Sequence, residues 1–245
     1  MMSISDMLAK FIKNLQEFLS IPEKFSKIIV SPISIITMIG LLVLFIVLFK
    51  ARKIKFDSKT IARVGLALAL ASILQCFKIY KFPQGGSVTL GSFIPILLIG
   101  FMYGPELGLF TGFIYGIINL LLDPYILTPV QVLFDYPLPF MCLGLTGFFR
   151  MKNGNGKISG FLNKYRNRFF DANILIGAFV AIFFKYLCHF ISGVAFFAEY
   201  AGDMNPWLYS FIVNGSIGGA ECLICLVILS ILPVQRLMKE INRYN

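Results

Sequence analysis

The run Ala172–Phe197, with the sequence ANILIGAFVAIFFKYLCHFISGVAFF, decides the class of fold. It is almost entirely apolar, and a helix needs about 20 such residues to cross a bilayer. The run therefore predicts a transmembrane helix. Two ionisable side chains interrupt it, Lys185 and His189. They lie one helical turn apart and share a face of the predicted helix.

Similar apolar runs fill most of the chain. Hydrophobic residues make up 58% of the sequence and charged residues only 14%, whereas globular domains carry about a quarter charged residues. These values predict an all-α integral membrane protein, and they exclude a soluble enzyme, a secreted disulfide scaffold and a nucleic-acid-binding module. The other predicted spans are Ile28–Phe49, Thr60–Ile79, the short Gly91–Tyr103, Glu106–Leu122, Pro129–Phe149 and Trp207–Leu232.

We expect two parts in the chain. Residues 1–58 form an N-terminal amphipathic segment and one extra transmembrane helix, and residues 59–245 form a six-helix domain. The segments Lys50–Arg63 and Arg150–Asp171 each carry six Lys or Arg and one acid. Because cytoplasmic loops collect positive charge, both are predicted to be cytoplasmic in a multi-pass protein of the cell membrane. The net charge of +10 has the same explanation.

The sequence offers little for catalysis or cofactor binding. The turn Asn153–Lys157 lacks the spacing of a phosphate-binding loop, so we expect no ATP hydrolysis by this chain alone. Cys222 and Cys225 form a C-x-x-C without a second pair or a histidine cluster, which favours packing over metal binding. We predict no metal, no cofactor and no enzymatic activity.

Ionisable residues inside the spans are the informative ones, because they are costly in lipid. Asp135, Lys185 and His189 are predicted to lie at one depth in the outer half of the membrane, as is the amide of Asn214. With the surrounding aromatic residues, they favour a pocket for a flat, heteroaromatic, partly cationic ligand. A structural ion pair of Asp135 with Lys185 is the alternative. Glu221 lies deeper, and a structural or coupling role is expected for it.

Four ordered motifs carry a resemblance to a known family. Together they resemble the thiamine-specific S-components of energy-coupling factor (ECF) transporters, over about Thr60 to Leu232. The motifs are Phe82–Leu90 (FPQGGSVTL), Pro129–Gln131 with Asp135–Pro137, Lys185–Gly193 (KYLCHFISG) and Tyr209–Gly215 (YSFIVNG).

The resemblance implies a thiamine-binding subunit, in the lipid bilayer, that works with an ECF transmembrane coupling subunit and two cytoplasmic ATPases. It implies a gating loop of Gln84, Gly85, Gly86 and Ser87, and a partner-docking face at Ala67 and Ala71. From the residues alone, these alanines suit either internal packing or docking. Relatives often have Trp at the position of Phe197. The implied ligand contacts are Tyr125, Asp135, Tyr136, Lys185, Tyr186, His189, Gly193, Phe197, Tyr209 and Asn214.

Two alternative functions keep a membrane fold. One is an S-component for a thiamine precursor such as a hydroxymethylpyrimidine, which lacks the thiazolium ring. The other is a stand-alone proton-coupled secondary transporter, in which Asp135, His189 and Glu221 relay protons. The absence of visible repeated halves in the sequence counts against the second alternative.

Overall fold

The structure is a computed structural model that describes residues 57–82, 86–149, 172–234 and 236–237, together with Ile39. Residues 1–56 of the predicted N-terminal part, which was residues 1–58, therefore lie outside the described residues apart from Ile39. So do the basic segment 150–171 and two residues of the predicted gating loop, Gln84 and Gly85.

The described chain is a bundle of apolar helices. Five helical segments are long and apolar enough to cross a membrane, and the shorter helix Ile94–Tyr103 is also apolar. This confirms the all-α membrane class. The elements are α1 Ser58–Cys76, β1 Lys78–Lys81, β2 Ser87–Thr89, α2 Ile94–Tyr103, α3 Pro105–Leu122, α4 Pro129–Asp135, α5 Pro137–Cys142, a 3₁₀ helix Leu143–Phe149, α6 Ala172–Phe196, a short 3₁₀ turn Ala198–Ala201 and α7 Pro206–Ile231.

A short β-hairpin was not predicted. β1 and β2 pair antiparallel, with Lys78 opposite Thr89 and Lys81 opposite Ser87. The sequence suggested only a loop here, because the two strands are too short to give a clear alternating pattern. We call residues 78–82 and 86–89 the outer hairpin, after the side of the membrane to which the charge distribution assigns them.

The predicted span Pro129–Phe149 is interrupted. α4 ends at Asp135, Tyr136 leaves helical geometry at φ −123° and ψ −78°, and α5 begins at Pro137. A proline lacks the N–H that would bond to the carbonyl four residues earlier, and its ring clashes with that carbonyl. The interruption places Asp135 and Tyr136 at a helix end, beside the cavity described below.

The glycine stripe of α3 is a packing surface, as predicted. A Cβ atom at Gly112 would lie 2.1 Å from the carbonyl oxygen of Phe140, and one at Gly116 would lie 2.5 Å from that of Tyr136. Both distances are too short for any side chain. The stripe therefore lets α3 approach the interrupted span at backbone distance.

The small residues of α1 lie on two sides of the helix. Ala67 is 9% exposed and packs with Ile99 and Leu107, and Ala71 is fully buried in the main core. In this structure both alanines contribute to internal packing, and their role in docking a partner stays a prediction. Gly65 and Ala69 lie on the exposed side of the helix instead.

The outer surface of the bundle is apolar. Leu66, Leu223 and Ile231 are 66–74% exposed, and several Phe side chains of α6 are also exposed. Such a surface would favour aggregation in water, but it is compatible with the hydrocarbon region of a bilayer. The long helices α6 and α7 pack along each other, and β2 contacts α7.

Candidate ligand-binding site

A cavity of about 160 Å³ lies between the outer hairpin and helices α3–α7. Gly86 and Ser87 of the predicted gating loop line it. Every residue predicted to contact a ligand also lines it, although their contact with a ligand stays a prediction. These residues are Tyr125, Asp135, Tyr136, Lys185, Tyr186, His189, Gly193, Phe197, Tyr209 and Asn214.

Asp135 and Lys185 are linked through His189. The Lys185 Nζ lies 3.1 Å from Nε2 of His189, whose Nδ1 lies 3.5 Å from an oxygen of Asp135. An ammonium group is only a donor, so Nε2 must accept and Nδ1 carries the proton. We infer this tautomer from the network. His189 is then neutral, and the direct Asp135–Lys185 ion pair considered above is replaced by an imidazole bridge.

Gln131 holds Asp135 in place. Its amide nitrogen donates to Oδ2 of Asp135 and to the carbonyl oxygen of Tyr125, at 3.1 Å in the second case. Its amide oxygen accepts from the backbone N–H of Leu127 at 3.0 Å. Because Gln131 is fully buried, this side chain fixes both the carboxylate and the loop that follows α3.

Lys185 is enclosed by aromatic rings. Its Nζ lies 4.5 Å from the ring centre of Phe93 and 5.1 Å from that of Phe140. The faces of aromatic rings attract cations. Lys185 is only 8% exposed, so water solvates its ammonium group poorly. The two rings stabilise the ammonium group in this buried position.

Asn214 is positioned by the contact between α6 and α7. Its Nδ2 donates to Oγ of Ser210 at 3.1 Å, and that hydroxyl donates to the carbonyl oxygen of Phe190 at 2.8 Å. A Cβ atom at Gly193 would lie 2.3 Å from Oγ of Ser210. Gly193 therefore permits the close approach of the two helices that holds Asn214 at the cavity.

Aromatic side chains close the side of the cavity next to the loops. The rings of Tyr125 and Phe197 stack with centres 5.7 Å apart, and the hydroxyls of Tyr125 and Tyr200 are 2.7 Å apart. The hydrogen bond with Tyr200, followed by partial burial, raises the pKa of Tyr125 to about 12. Tyr125 is therefore neutral at physiological pH and adds no charge to the cavity.

Tyr136 and Tyr209 differ in how their hydroxyls are used. Tyr136 donates to the carbonyl oxygen of Asp123 and accepts from the N–H of Tyr125, both at 2.8 Å. The buried hydroxyl of Tyr209 has no hydrogen-bond partner within the described ranges. Burial of an unpaired hydroxyl is costly, so a ligand that supplies a partner would remove that cost.

Polar residues that the sequence analysis did not select also line the cavity. They are Gln75, Asn119 and Asp123. Gln75 and Asn119 lie inside predicted spans, and their amides are in contact at 3.5 Å. The rule that selected Asn214, a polar group within an apolar run, would have found both. Asp123 accepts from Lys78 at 3.0 Å and from Lys81 at 3.5 Å, and so ties β1 to the end of α3.

Glu221 also borders the cavity. It is 3% exposed, and its Oε1 accepts from the backbone N–H and the hydroxyl of Thr89, each at 2.8 Å. The carboxylate thereby joins the middle of α7 to strand β2. The structural role expected for Glu221 agrees with these bonds, but its place at the cavity was not foreseen.

A helix bundle with an apolar outer surface and an internal polar pocket defines a membrane protein that binds a small molecule. Residues 61–241 match the family described as "Thiamine transporter protein (Thia_YuaJ)". The chain belongs to this family. It is a multi-pass transport protein of the cell membrane and not an enzyme.

Relatives agree with this assignment. The chain is 30% identical over 193 residues to the thiamine transporter ThiT of Bacillus subtilis, covering 75% of this chain and 97% of that protein. It is 32% identical over 149 residues to ThiT of Lacticaseibacillus paracasei, covering 57% and 69%. A solved structure of ThiT from Listeria monocytogenes has the same fold, with a TM-score of 0.57 and 23% identity over 71% of this chain and 92% of that one.

Proposed function

We propose that this chain is the high-affinity thiamine-binding S-component of an ATP-driven ECF importer. In this proposal thiamine occupies the cavity beneath the outer hairpin and is carried inward together with the ECF module. The observation that supports it most is the Asp135–His189–Lys185 chain within one aromatic-lined cavity. Family membership supports thiamine as the transported molecule.

Asp135 is the carboxylate suited to a cationic ligand. The contacts of the two other carboxylates at the cavity explain why. Glu221 is bonded to Thr89, and Asp123 is paired with two lysines. The contacts of Asp135 are instead with the neutral amide of Gln131 and the neutral imidazole of His189. Within the described ranges Asp135 thus has no lysine or arginine in direct contact, whereas Asp123 has two lysines. A thiazolium ring beside it would supply the missing positive charge.

The remaining groups suit the uncharged parts of thiamine. Asn214 and the unpaired hydroxyl of Tyr209 both border the cavity from α7. They can hydrogen-bond to an aminopyrimidine or to a hydroxyl group. The stacked rings of Tyr125 and Phe197 offer a flat surface for a heteroaromatic ring.

The proposal assigns energy supply to other subunits. The sequence holds no phosphate-binding loop. An ECF transmembrane coupling subunit with two cytoplasmic ATPases would therefore drive transport. Within this scheme the outer hairpin acts as the lid of the cavity, because Gly86 and Ser87 border the cavity directly.

Calorimetry of the purified chain tests the ligand. We expect tight binding of thiamine, much weaker binding of a hydroxymethylpyrimidine, and none of riboflavin. Equal affinity for thiamine and the pyrimidine would contradict a role for the thiazolium and favour the precursor S-component.

Transport assays test the mode of coupling. Proteoliposomes that contain this chain alone should bind thiamine but not accumulate it under a proton gradient. Accumulation would favour the secondary transporter. Reconstitution with the ECF module and ATP should restore uptake.

A further inference from the structure

The buried carboxylate of Glu221 has no part in the binding scheme above, yet it makes two bonds to the outer hairpin. We propose that Glu221 is a latch that holds strand β2 against α7 and so sets how often the hairpin opens over the cavity. This inference rests on the proposed function in one respect, namely that the hairpin is the lid through which thiamine enters and leaves. Glu221 is thus a positioning residue that acts through Thr89.

The bonds of the latch are placed to control the hairpin. Thr89 is 2% exposed and ends the strand whose first residue, Ser87, lines the cavity. Both its N–H and its hydroxyl donate to the same oxygen of Glu221 at 2.8 Å. The hydroxyl also lies 2.7 Å from that of Ser92, at the start of α2. Strand β2 cannot move away from α7 without breaking these bonds.

The opposite side of the hairpin is held more weakly. Lys78 and Lys81 of β1 pair with Asp123, whose side chain is 30% exposed. Ion pairs that water reaches contribute little stability, whereas breaking a buried hydrogen bond leaves its donor unsatisfied. The buried bonds between Thr89 and Glu221 are therefore harder to break than these ion pairs.

The latch predicts a specific order among three variants. Glu221→Gln keeps an oxygen that can accept both bonds from Thr89 but removes the charge. Thr89→Val keeps the charge of Glu221 and the backbone bond but removes the hydroxyl bond. Glu221→Leu removes both bonds at similar volume. Opening should therefore increase in the order wild type and Glu221→Gln, then Thr89→Val, then Glu221→Leu.

Opening can be measured without any ligand. Val88 lies beside Thr89 and is 7% exposed, so a cysteine introduced as Val88→Cys reacts with a maleimide only when the hairpin moves. The experiment is done in full-length protein, with the five native cysteines as the background control. We expect labelling about 10- to 100-fold faster with Glu221→Leu, a several-fold increase with Thr89→Val, and little change with Glu221→Gln.

The same variants are then tested with thiamine. Dissociation measured by stopped flow should accelerate in the same order, while the melting temperature of Glu221→Gln stays near that of the parent protein. If wild type binds no thiamine, the proposed function fails, but the labelling order still tests the latch.

Two results would overturn the latch. The first is labelling of Thr89→Val and Glu221→Leu at the parent rate. The second is labelling of Glu221→Gln as fast as Glu221→Leu, which would show that the charge of Glu221 matters and its bonds to Thr89 do not. If Glu221→Leu does not fold, the comparison of Thr89→Val with Glu221→Gln still decides the question.

Discussion

Replacing Asp135 with asparagine tests the charge on which the proposed ligand depends. The substitution keeps the size of the side chain and removes the negative charge. Gln131 is fixed by Leu127 and Tyr125, so it continues to donate to the oxygen at position 135. The new amide NH₂ then faces the N–H of His189. The empty protein should lose a little stability from that contact but should keep its fold.

The loss of affinity should be much larger than the loss of stability. Removing one partner of a desolvated charge pair costs about 2–5 kcal/mol, which corresponds to a dissociation constant for thiamine about 30-fold to several thousand-fold higher. Calorimetry with thiamine measures this change, and a thermal melt without ligand measures the stability of the empty protein. Asp123→Asn is the matched control, because Asp123 borders the same cavity but its charge is already compensated by Lys78.

Two results would contradict this role of Asp135. An unchanged affinity in a folded Asp135→Asn protein would remove Asp135 from the binding site and weaken the assignment of thiamine. A large drop in melting temperature with a small change in affinity would instead show that Asp135 serves the imidazole bridge to Lys185 as a structural element.

Three further predictions concern the cavity wall, the packing and the topology. Phe197→Ala removes the ring stacked on Tyr125 and should raise the dissociation constant for thiamine, measured by calorimetry, roughly tenfold. Phe197→Trp should bind thiamine at least as tightly as the parent protein. Unchanged binding by the alanine variant would refute the stacking role. Gly112→Ala places a Cβ atom 2.1 Å from the Phe140 carbonyl oxygen, while the Cβ atom of Gly65→Ala meets nothing within 4 Å. In denaturation assays Gly112→Ala should lower the free energy of unfolding by roughly 1–3 kcal/mol, and Gly65→Ala should leave it unchanged. A cysteine introduced as Lys157→Cys should resist membrane-impermeant reagents in intact cells, and one introduced as Gln84→Cys should react; labelling at position 157 would invert the topology.

The sequence predicted the membrane class and the spans that the structure describes, because both follow from apolar runs of sufficient length. It also predicted part of the cavity lining, since ionisable groups are rare inside membrane spans and the family motifs select the aromatic residues. The spacing of Gly108, Gly112 and Gly116 was enough to predict close packing. In each case the signal is local in the chain.

What the sequence did not reveal depends on contacts between distant segments. Ala67 and Ala71 have the same spacing whether they face a partner or the core, and only the positions of α2 and α3 reveal that both pack inside the bundle. The bond between Glu221 and Thr89 joins residues 132 positions apart. The imidazole bridge between Asp135 and Lys185 likewise required the two helices to be placed relative to each other.

The interruption at Tyr136–Pro137 affects how mutational data on this protein should be read. Pro137 and Pro139 lack an N–H, so the carbonyl oxygens of Leu133 and Asp135 lose the donors that a continuous helix would supply. In the membrane interior such oxygens need partners from protein, water or ligand. An alanine substitution at Pro137 or Pro139 would supply an N–H donor to these oxygens. Such a variant therefore changes main-chain hydrogen bonding next to Asp135 and Tyr136, in addition to removing a side chain.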